Sequence, residues 1–431
     1  MSKLFFLILS LLILSNCSLD KSTHFLKKKQ KIEVKKNFKK VFSQKVKNLK
    51  EFNPNLKLDL SKISSKNKIE INKNNNGSQI YSGSFDKIGS YKFSKLDNFN
   101  QYDYRPIFLK DGIIFFDKKG SIIRYDINQK VLWKKNYYSK NEKKLKPKLN
   151  FFLKNNNLLI VDNIAKFYSI NVVTGELNWI KNNIYPANSE IKEINNKIYF
   201  VDYNNTLRCF DIVNGSEIWS LKTEDTFSLS NLKNSLIIDN SLIVFSNSIG
   251  DISAADIKDG IILWVLPIQN LSSSSEAYNL KISSIVSDGK QIFFSTNVDK
   301  FYSVNIKMGV INWTNEINSN LKPILIDNFI FTVSNEGYLY VIDKIKGNIL
   351  RITDLYKDIE LKKRNKIRPT GFVVGNKNLY LTNSDGTLLV ADLEEGNILN
   401  LKKISRSLIP KPFIFNESLY LVTNGSIIQY N

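Results

Sequence analysis

Side chains able to do covalent or metal chemistry are scarce in this 431-residue chain. The single histidine, His24, sits in a lysine-rich stretch near the N-terminus. Most catalytic triads and zinc sites need a histidine held inside a fold, so those chemistries are excluded. There are two cysteines, Cys17 and Cys209. Cys209 lies in "TLRCFD", a strand-like stretch, and reads as a small core or edge residue. Carboxylates are present, but most stand at turn positions, where capping explains them. No catalytic residue and no metal site are expected.

Cys17 is the exception. "MSKLFFLILSLLILSNC" places Lys3 ahead of an apolar run from Leu4 to Leu14. That run is too short to span a bilayer and suits a secretory signal. It ends in "LSNC", which resembles a bacterial lipobox. The motif implies cleavage before Cys17 and lipidation of that residue, which leaves Cys209 without an intrachain partner. Acyl chains would then anchor the protein, at roughly 0.8 kcal/mol per buried methylene. The alternative is an ordinary signal peptide followed by an incidental cysteine. Ser18 follows the cysteine, and by the rule for such lipoproteins this implies the outer membrane.

The chain carries a net charge of +22. Between Lys21 and Lys50 there are 12 lysines and one acid, Glu33, so half of that charge falls in 30 residues. Such a segment cannot bury enough apolar surface to order itself alone. It reads as a tether, either merely solvated or attracted to an anionic leaflet at about 1 kcal/mol per lysine. Nucleic acid is not an expected partner behind an export signal. The expected division is signal peptide 1–16, lipidated cysteine and basic tether 17–78, and folded domain 79–431.

The folded part is a repeat. "KFYSINVVTGELNW" ends at Trp179 and "KFYSVNIKMGVINW" at Trp313. Related copies end at Trp133, Trp219 and Trp264, and two weaker ones at Arg351 and Asn400. The spacing is 38 to 49 residues, and all five tryptophans of the chain share one column. Each copy alternates like a strand and then reaches Asp or Asn. Four residues later, six of the seven copies have glycine: Gly175, Gly215, Gly260, Gly309, Gly347 and Gly396. Glycine permits the positive φ of a tight reversal. Lys130 replaces it in the first copy, so that turn is expected to differ. A second strand then carries the tryptophan, whose indole buries about 150 Å² or more and can fasten one sheet to the next.

Two further strand-like runs precede each copy. The unit is therefore four antiparallel strands, A to D, as in a propeller blade. After Asn400 the chain supplies three more strands and stops. The expected fold is all-β, an eight-bladed propeller in which an N-terminal strand completes the last blade. "GSYKFSKLD", Gly89 to Asp97, is the expected closing strand, with Phe93 in the tryptophan column. A seven-bladed ring would leave the last three strands outside.

The Asp/Asn-x-x-x-Gly-x-x-x-Trp pattern looks like the pyrroloquinoline-quinone-type propeller repeat. With the lipobox, the tether and eight blades, residues 80–431 resemble the BamB family of the outer-membrane β-barrel assembly machinery. The resemblance implies a non-enzymatic periplasmic scaffold, lipid-anchored at the outer membrane. It would dock on the POTRA domains of the insertase subunit BamA and help hand over unfolded outer-membrane proteins. In that family, the loop between blades three and four carries the apolar and basic contacts. Here the matching loop is Lys222 to Lys233, with Phe227 and Leu229 as the apolar pair and Asn231 where the family has arginine. The next loop presents two acids in the family, and this chain has Asn279 and Lys281. Quinoproteins of this fold hold their cofactor beside an adjacent Cys–Cys pair, which Cys17 and Cys209 cannot form, so no cofactor is expected. Two rival readings are a periplasmic propeller that binds glycan or peptidoglycan, marked by an aromatic-rich central funnel, and a residual quinoprotein, marked by calcium or quinone.

Overall fold

The alternating runs fold as strands and the Asx–glycine segments as their reversals. In the computed structural model, described residues are 50–60, 77–99, 104–183, 185–224, 233–268, 280 and 282–431. They form eight antiparallel four-stranded blades. Blades 1 to 7 span Ile107–Lys135, Leu149–Asn182, Lys192–Lys222, Leu236–Pro267, Val286–Asn315, Ile324–Asp354 and Pro369–Lys403. Blade 8 joins strands between Phe413 and Tyr430 to Lys87–Lys92. Strands B and C of blades 1 to 7 are largely buried, as in Ile113–Phe116 and Leu158–Val161, while most D strands are exposed; Ile349–Asp354 of blade 6 is the exception. Each fully buried aliphatic or aromatic side chain contributes roughly 1.5–3 kcal/mol.

Every D strand loses one residue to a bulge, and the column residue comes directly after it. Leu177 pairs with Ile170 and Trp179 with Ser169; Ile262 pairs with Ala255 and Trp264 with Ala254. The bulge turns the indole toward the next blade. A Cβ built on Gly309 would lie 2.6 Å from the Trp264 ring, and Gly175, Gly215, Gly260 and Gly347 meet Trp133, Trp179, Trp219 and Trp313 in the same way. The Trp264 Nε1–H donates to the Ile306 carbonyl at 3.0 Å, and that of Trp133 to Val172 at 3.2 Å. In blade 6 the column residue is Arg351. Its guanidinium lies against Gly396 and donates to the carbonyls of Leu393 and Glu394.

The closing strand corrects one expectation. Lys87–Lys92 pairs antiparallel with Ser426–Tyr430, and the bulge falls between Lys87 and Gly89. Gly89, opposite Gln429, therefore holds the column position, and Phe93 does not. Phe93 lies past the strand end, where its N–H donates to Gly425 and its ring sits 4.6 Å from that of Phe115. The first turn is indeed different. Asp126 N–H donates to Lys130, four residues on, whereas Asp256 N–H donates to Ile261, five residues on. Gln129 takes the positive φ, at 62°, and its amide fills the space beside Gly89.

Residues 50–60 were assigned to the tether but lie against blades 6 and 7. Phe52 exchanges backbone hydrogen bonds with Ile352 at 3.1 and 2.9 Å. Arg351 donates to the Leu56 carbonyl at 2.9 Å, and Leu58 and Leu60 are buried with Leu339 and Leu393. Ser78–Gln79 then adds in parallel to strand A of blade 7, opposite Val374 and Gly375. "FNPNLKLDL" thus holds an alternating apolar stripe inside a basic background, and that stripe supplies the packing.

A second device recurs where strand B ends. The Asp117, Asp162, Asp202 and Asn247 side chains accept from amides of the following B–C turn. Asp162 is wholly buried and also accepts from the Tyr138 hydroxyl at 2.6 Å. Burial raises its pKa to about 6, with the Tyr138 and turn hydrogen bonds working against that rise.

Two predictions follow from this packing. Trp264→Ala should cost about 3–5 kcal/mol, and Gly309→Ala at least about 1–2 kcal/mol from the left-handed backbone alone. The double variant should cost less than the sum, because removing the indole removes the clash; denaturant midpoints of all four proteins test this. Asp162 binds its proton more tightly in the folded state than in the unfolded one. Stability should therefore fall as pH rises from about 4 to about 6, by up to about 3 kcal/mol. Asp162→Asn should flatten that slope in a series of melts across the same window.

Candidate functional site

The A strands line the centre of the ring. Each begins on the side of the D–A loops and runs toward the A–B turns. Two positions before the residue that pairs with mid-strand B stand Arg105, Asn150, Glu190, Ser235, Ser284, Lys322, Gly371 and Lys411, one from each blade. Arg105 of blade 1 reaches Glu190 of blade 3 at 2.7 Å, and Lys192 lies 3.6 Å from the other Glu190 oxygen. Lys233, at the start of blade 4, donates to Asn150 of blade 2 at 2.6 Å.

Electrostatically the row is lopsided. Burial opposes ionisation of Glu190, yet Arg105, Lys192 and Lys322 together hold its carboxyl well below the usual carboxylate range. Burial lowers Lys192, and Glu190 offsets part of that. Both oxygens of Glu190 are taken, so Lys322 feels that carboxylate only through space. Burial, joined by repulsion from Lys411, Lys192 and Arg105, pushes Lys322 well below the usual lysine value.

Next to the row lies a cavity of about 660 Å³. Arg105, Glu190, Lys192 and Lys411 stand at its D–A end, with Asn416 and Glu417 at its A–B end. Its wall is phenylalanine: Phe108, Phe151, Phe413 and Phe415. The Phe108 ring lies 5.7 Å from Phe413 and 5.5 Å from Phe415. Sequence reasoning missed this site. Its residues fall once per blade in short A strands, and only a register count across all eight blades brings them into a row.

The residues named for partner binding, Phe227, Leu229, Asn231, Asn279 and Lys281, lie outside the described residues, as does Cys17. The ends of their loops are described. Lys222 closes strand D of blade 3, and Lys233 turns into the channel on Asn150. Leu280 packs where a Cβ on Gly250 would lie, and the Ile285 amide donates to Ser235 Oγ at 2.8 Å. The basic stretch Tyr356–Pro369 is partly tied down. Tyr356 is buried with its hydroxyl on Asn383 at 2.6 Å, and Arg364 pairs with Asp354 at 2.7 Å. Cys209 is buried between strands B and D of blade 3, facing Tyr199 and Trp219, and burial pushes its thiol up. One buried cysteine does not fit the adjacent pair of the quinoproteins. Among the described residues no group of three or more His, Cys, Asp or Glu could hold a metal ion. Among them, too, no helix is long and apolar enough to cross a membrane.

The family profile described as outer membrane protein assembly factor BamB matches residues 118–353, more than half of the chain. No curated protein matches the sequence. Among solved structures, BamB from Moraxella catarrhalis is similar at 15% identity, covering 80% of this chain and 99% of that one, with a TM-score of 0.64. The computationally designed Ika8 protein is similar at 14% identity, covering 80% and 100%, with a TM-score of 0.59. The quinohemoprotein alcohol dehydrogenase ADHIIG from Pseudomonas putida HK5 is similar at 11% identity, covering 83% and 78%, with a TM-score of 0.60. At these identities the structural likenesses speak for the propeller fold alone.

The charged row generates a pair of opposite expectations. Glu190→Gln removes the carboxylate that Arg105 and Lys192 share and should destabilise by about 3 kcal/mol. Lys322→Met removes a half-buried cation that its neighbours repel and should stabilise by about 1 kcal/mol. Urea midpoints at neutral pH give both signs, and a destabilising Lys322→Met would contradict this account of the channel.

Proposed function

The chain belongs to the family of outer membrane protein assembly factor BamB, and from that membership we propose that it is a non-enzymatic scaffold of the outer-membrane β-barrel assembly machinery. It acts on the periplasmic face of the outer membrane, held there by lipid on Cys17. Its partner is a BamA-like insertase, contacted through the POTRA domains, and unfolded outer-membrane proteins are its further clients. The observation that carries this reading is the extent of the family match. Residues 118–353 include the loops after blades 3 and 4, which the family uses for its partner.

The physical case is one of mounting. A loop that leaves a rigid sheet and returns to a rigid sheet presents its tip at low entropic cost. The loop from Lys222 to Lys233 starts at an outer strand and ends on a cross-channel hydrogen bond. Phe227 and Leu229 supply its apolar contact. Asn231, Asn279 and Lys281 replace charges used elsewhere in the family, so the apolar pair should carry a larger share of the affinity here.

The test is binding of the purified mature protein to an isolated POTRA fragment by surface plasmon resonance. The Phe227→Ala, Leu229→Ala double variant should bind at least about tenfold more weakly, a loss of about 1.4 kcal/mol, with an unchanged melting temperature. Equal binding by the variant would remove the interface assignment and leave the family membership standing.

A further inference from the structure

We propose that the face carrying the D–A loops rests on an anionic phospholipid surface. Contact is made by the lysines and outward leucines of two short helices, Lys140–Lys144 and Leu361–Arg364. This goes beyond the scaffold reading and needs neither the loop interface nor the lipid on Cys17.

The two helices are mounted alike. Each lies in a D–A loop, the first after blade 1 and the second after blade 6. Each follows a buried tyrosine laid on the B–C turn glycine of its own blade, Tyr138 on Gly120 and Tyr356 on Gly337. The Tyr138 hydroxyl donates to Asp162 of blade 2, and that of Tyr356 to Asn383 of blade 7, both at 2.6 Å. Ser139 and Glu142 cap the first helix reciprocally, and Ile367 is buried after the second. Both helices are thus held on the ring, yet neither contains a buried residue.

Cations gather around both. Beside the first helix, the Lys118 amide donates to Ser94 Oγ at 3.1 Å, and Asn136 donates to the Lys119 carbonyl at 3.0 Å, which draws three basic segments together. The acids among them are taken. Asp97 pairs with Lys146 at 2.7 Å, Asp117 with Lys134 at 2.8 Å and Glu142 with Lys166 at 2.7 Å, and Asp162 holds Tyr138. Lys118 also acts on Asp97 through space. Lys95, Lys119, Lys140, Lys143 and Lys144 form no ion pair among the described residues. Beside the second helix, Asp354 pairs with Arg364 and Glu360 with Lys363. That leaves Lys357, Lys362 and Lys366 to one exposed acid, Asp358. Like charges gathered in this way repel, and a negative surface relieves them.

The leucines decide what kind of surface that is. Leu145, which caps the first helix, is 61% exposed, and Leu361, which opens the second, is 74% exposed. Each stands among lysines. An acidic protein surface satisfies the lysines and offers an isolated leucine nothing. The headgroup layer of a bilayer offers both partners, phosphate for the ammonium groups and acyl carbon beneath it for the leucine. Lysine suits that layer, since its long stem enters apolar surroundings while the charge stays at the phosphates. The helices stand apart on one face of the ring, so a flat surface can touch both, whereas a single small anion cannot.

Site-directed fluorescence on the unlipidated mature full chain, carrying Cys17→Ser, tests the proposal. A nitrobenzoxadiazole label is placed on Asn141→Cys in the first helix, or on Asn156→Cys in the A–B turn of blade 2 on the opposite face; Cys209 is buried. Vesicles contain equal parts phosphatidylglycerol and phosphatidylcholine, or phosphatidylcholine alone. The lysine-rich tether should bring every variant down with the anionic vesicles, and the label then reads which face meets them. The Asn141 label should shift to the blue and brighten about twofold, and the Asn156 label should not change. Leu145→Ser combined with Leu361→Ser should abolish the shift. Both leucines are exposed, so that variant should melt like the parent. The Phe227→Ala, Leu229→Ala variant should respond like the parent, which separates this surface from the loop interface. An unchanged Asn141 label on sedimented vesicles would leave the tether as the whole contact and overturn the proposal. So would failure of the parent to sediment, an equal response at Asn156 or with phosphatidylcholine alone, or an undiminished shift in the leucine double variant.

Discussion

One contact between neighbouring blades holds the ring: an indole laid on a glycine whose missing side chain makes the room. The contact is coupled across the gap. A blade carries a large column residue when the next blade has the glycine turn. Trp133 through Trp313 obey this, and Arg351 substitutes by lying on Gly396 and bonding the Leu393 carbonyl, the place in the turn where Trp264 bonds Ile306. Asn400 faces blade 8, whose strand D is Lys87–Lys92 and does not follow strand C through a glycine turn that could receive an indole. Gly89 faces the shortened first turn, and there the sizes are exchanged, with glycine on the strand and Gln129 in the turn. The exceptions to the tryptophan column are thus the two blades beside the seam, plus one conservative replacement of function by arginine.

That replacement has a use. An indole has one donor, whereas a guanidinium has five in a planar fork. Arg351 can therefore bind the next blade and still reach the Leu56 carbonyl. The N-terminal segment is fastened at the one blade whose column residue has hydrogen bonds to spare. Phe52 beside Ile352, and Leu58 and Leu60 in the core of blades 6 and 7, complete the attachment.

Much of the frame was legible because the repeat writes its geometry into residue types. Period-2 alternation, the Asx–glycine turn and the tryptophan after it gave eight blades, the strand order and the seam. Phe93 was misplaced for a specific reason. In the other blades the column is counted from a turn, but the closing strand has no turn before it, and its register is set by the bulge between Lys87 and Gly89. The docking of residues 50–60 was hidden because its apolar stripe is short and embedded in lysine and asparagine. The channel row was invisible for another reason: strand A of blade 1, 3, 6 or 8 is three residues long, and its lining residues are unlike one another. The partner-binding residues came from family resemblance, and nothing in the packing of the ring bears on them.

Interblade packing does not constrain every position alike. Turn glycines, indoles and the buried B and C strands are fixed by interblade packing, and changing any one requires a matching change in its neighbour. The channel row links blades in another way, by Arg105 to Glu190, Lys233 to Asn150 and the Ile285 amide to Ser235 Oγ. A ring could fill those positions with small polar residues, as Ser235 and Ser284 do. Lys322, which burial and the neighbouring cations push well below the usual lysine value, is the member of the row that costs stability. Blade packing explains the phenylalanines on the outward side of the channel wall, and the Glu190 ion pairs explain Arg105 and Lys192, but neither calls for Lys322.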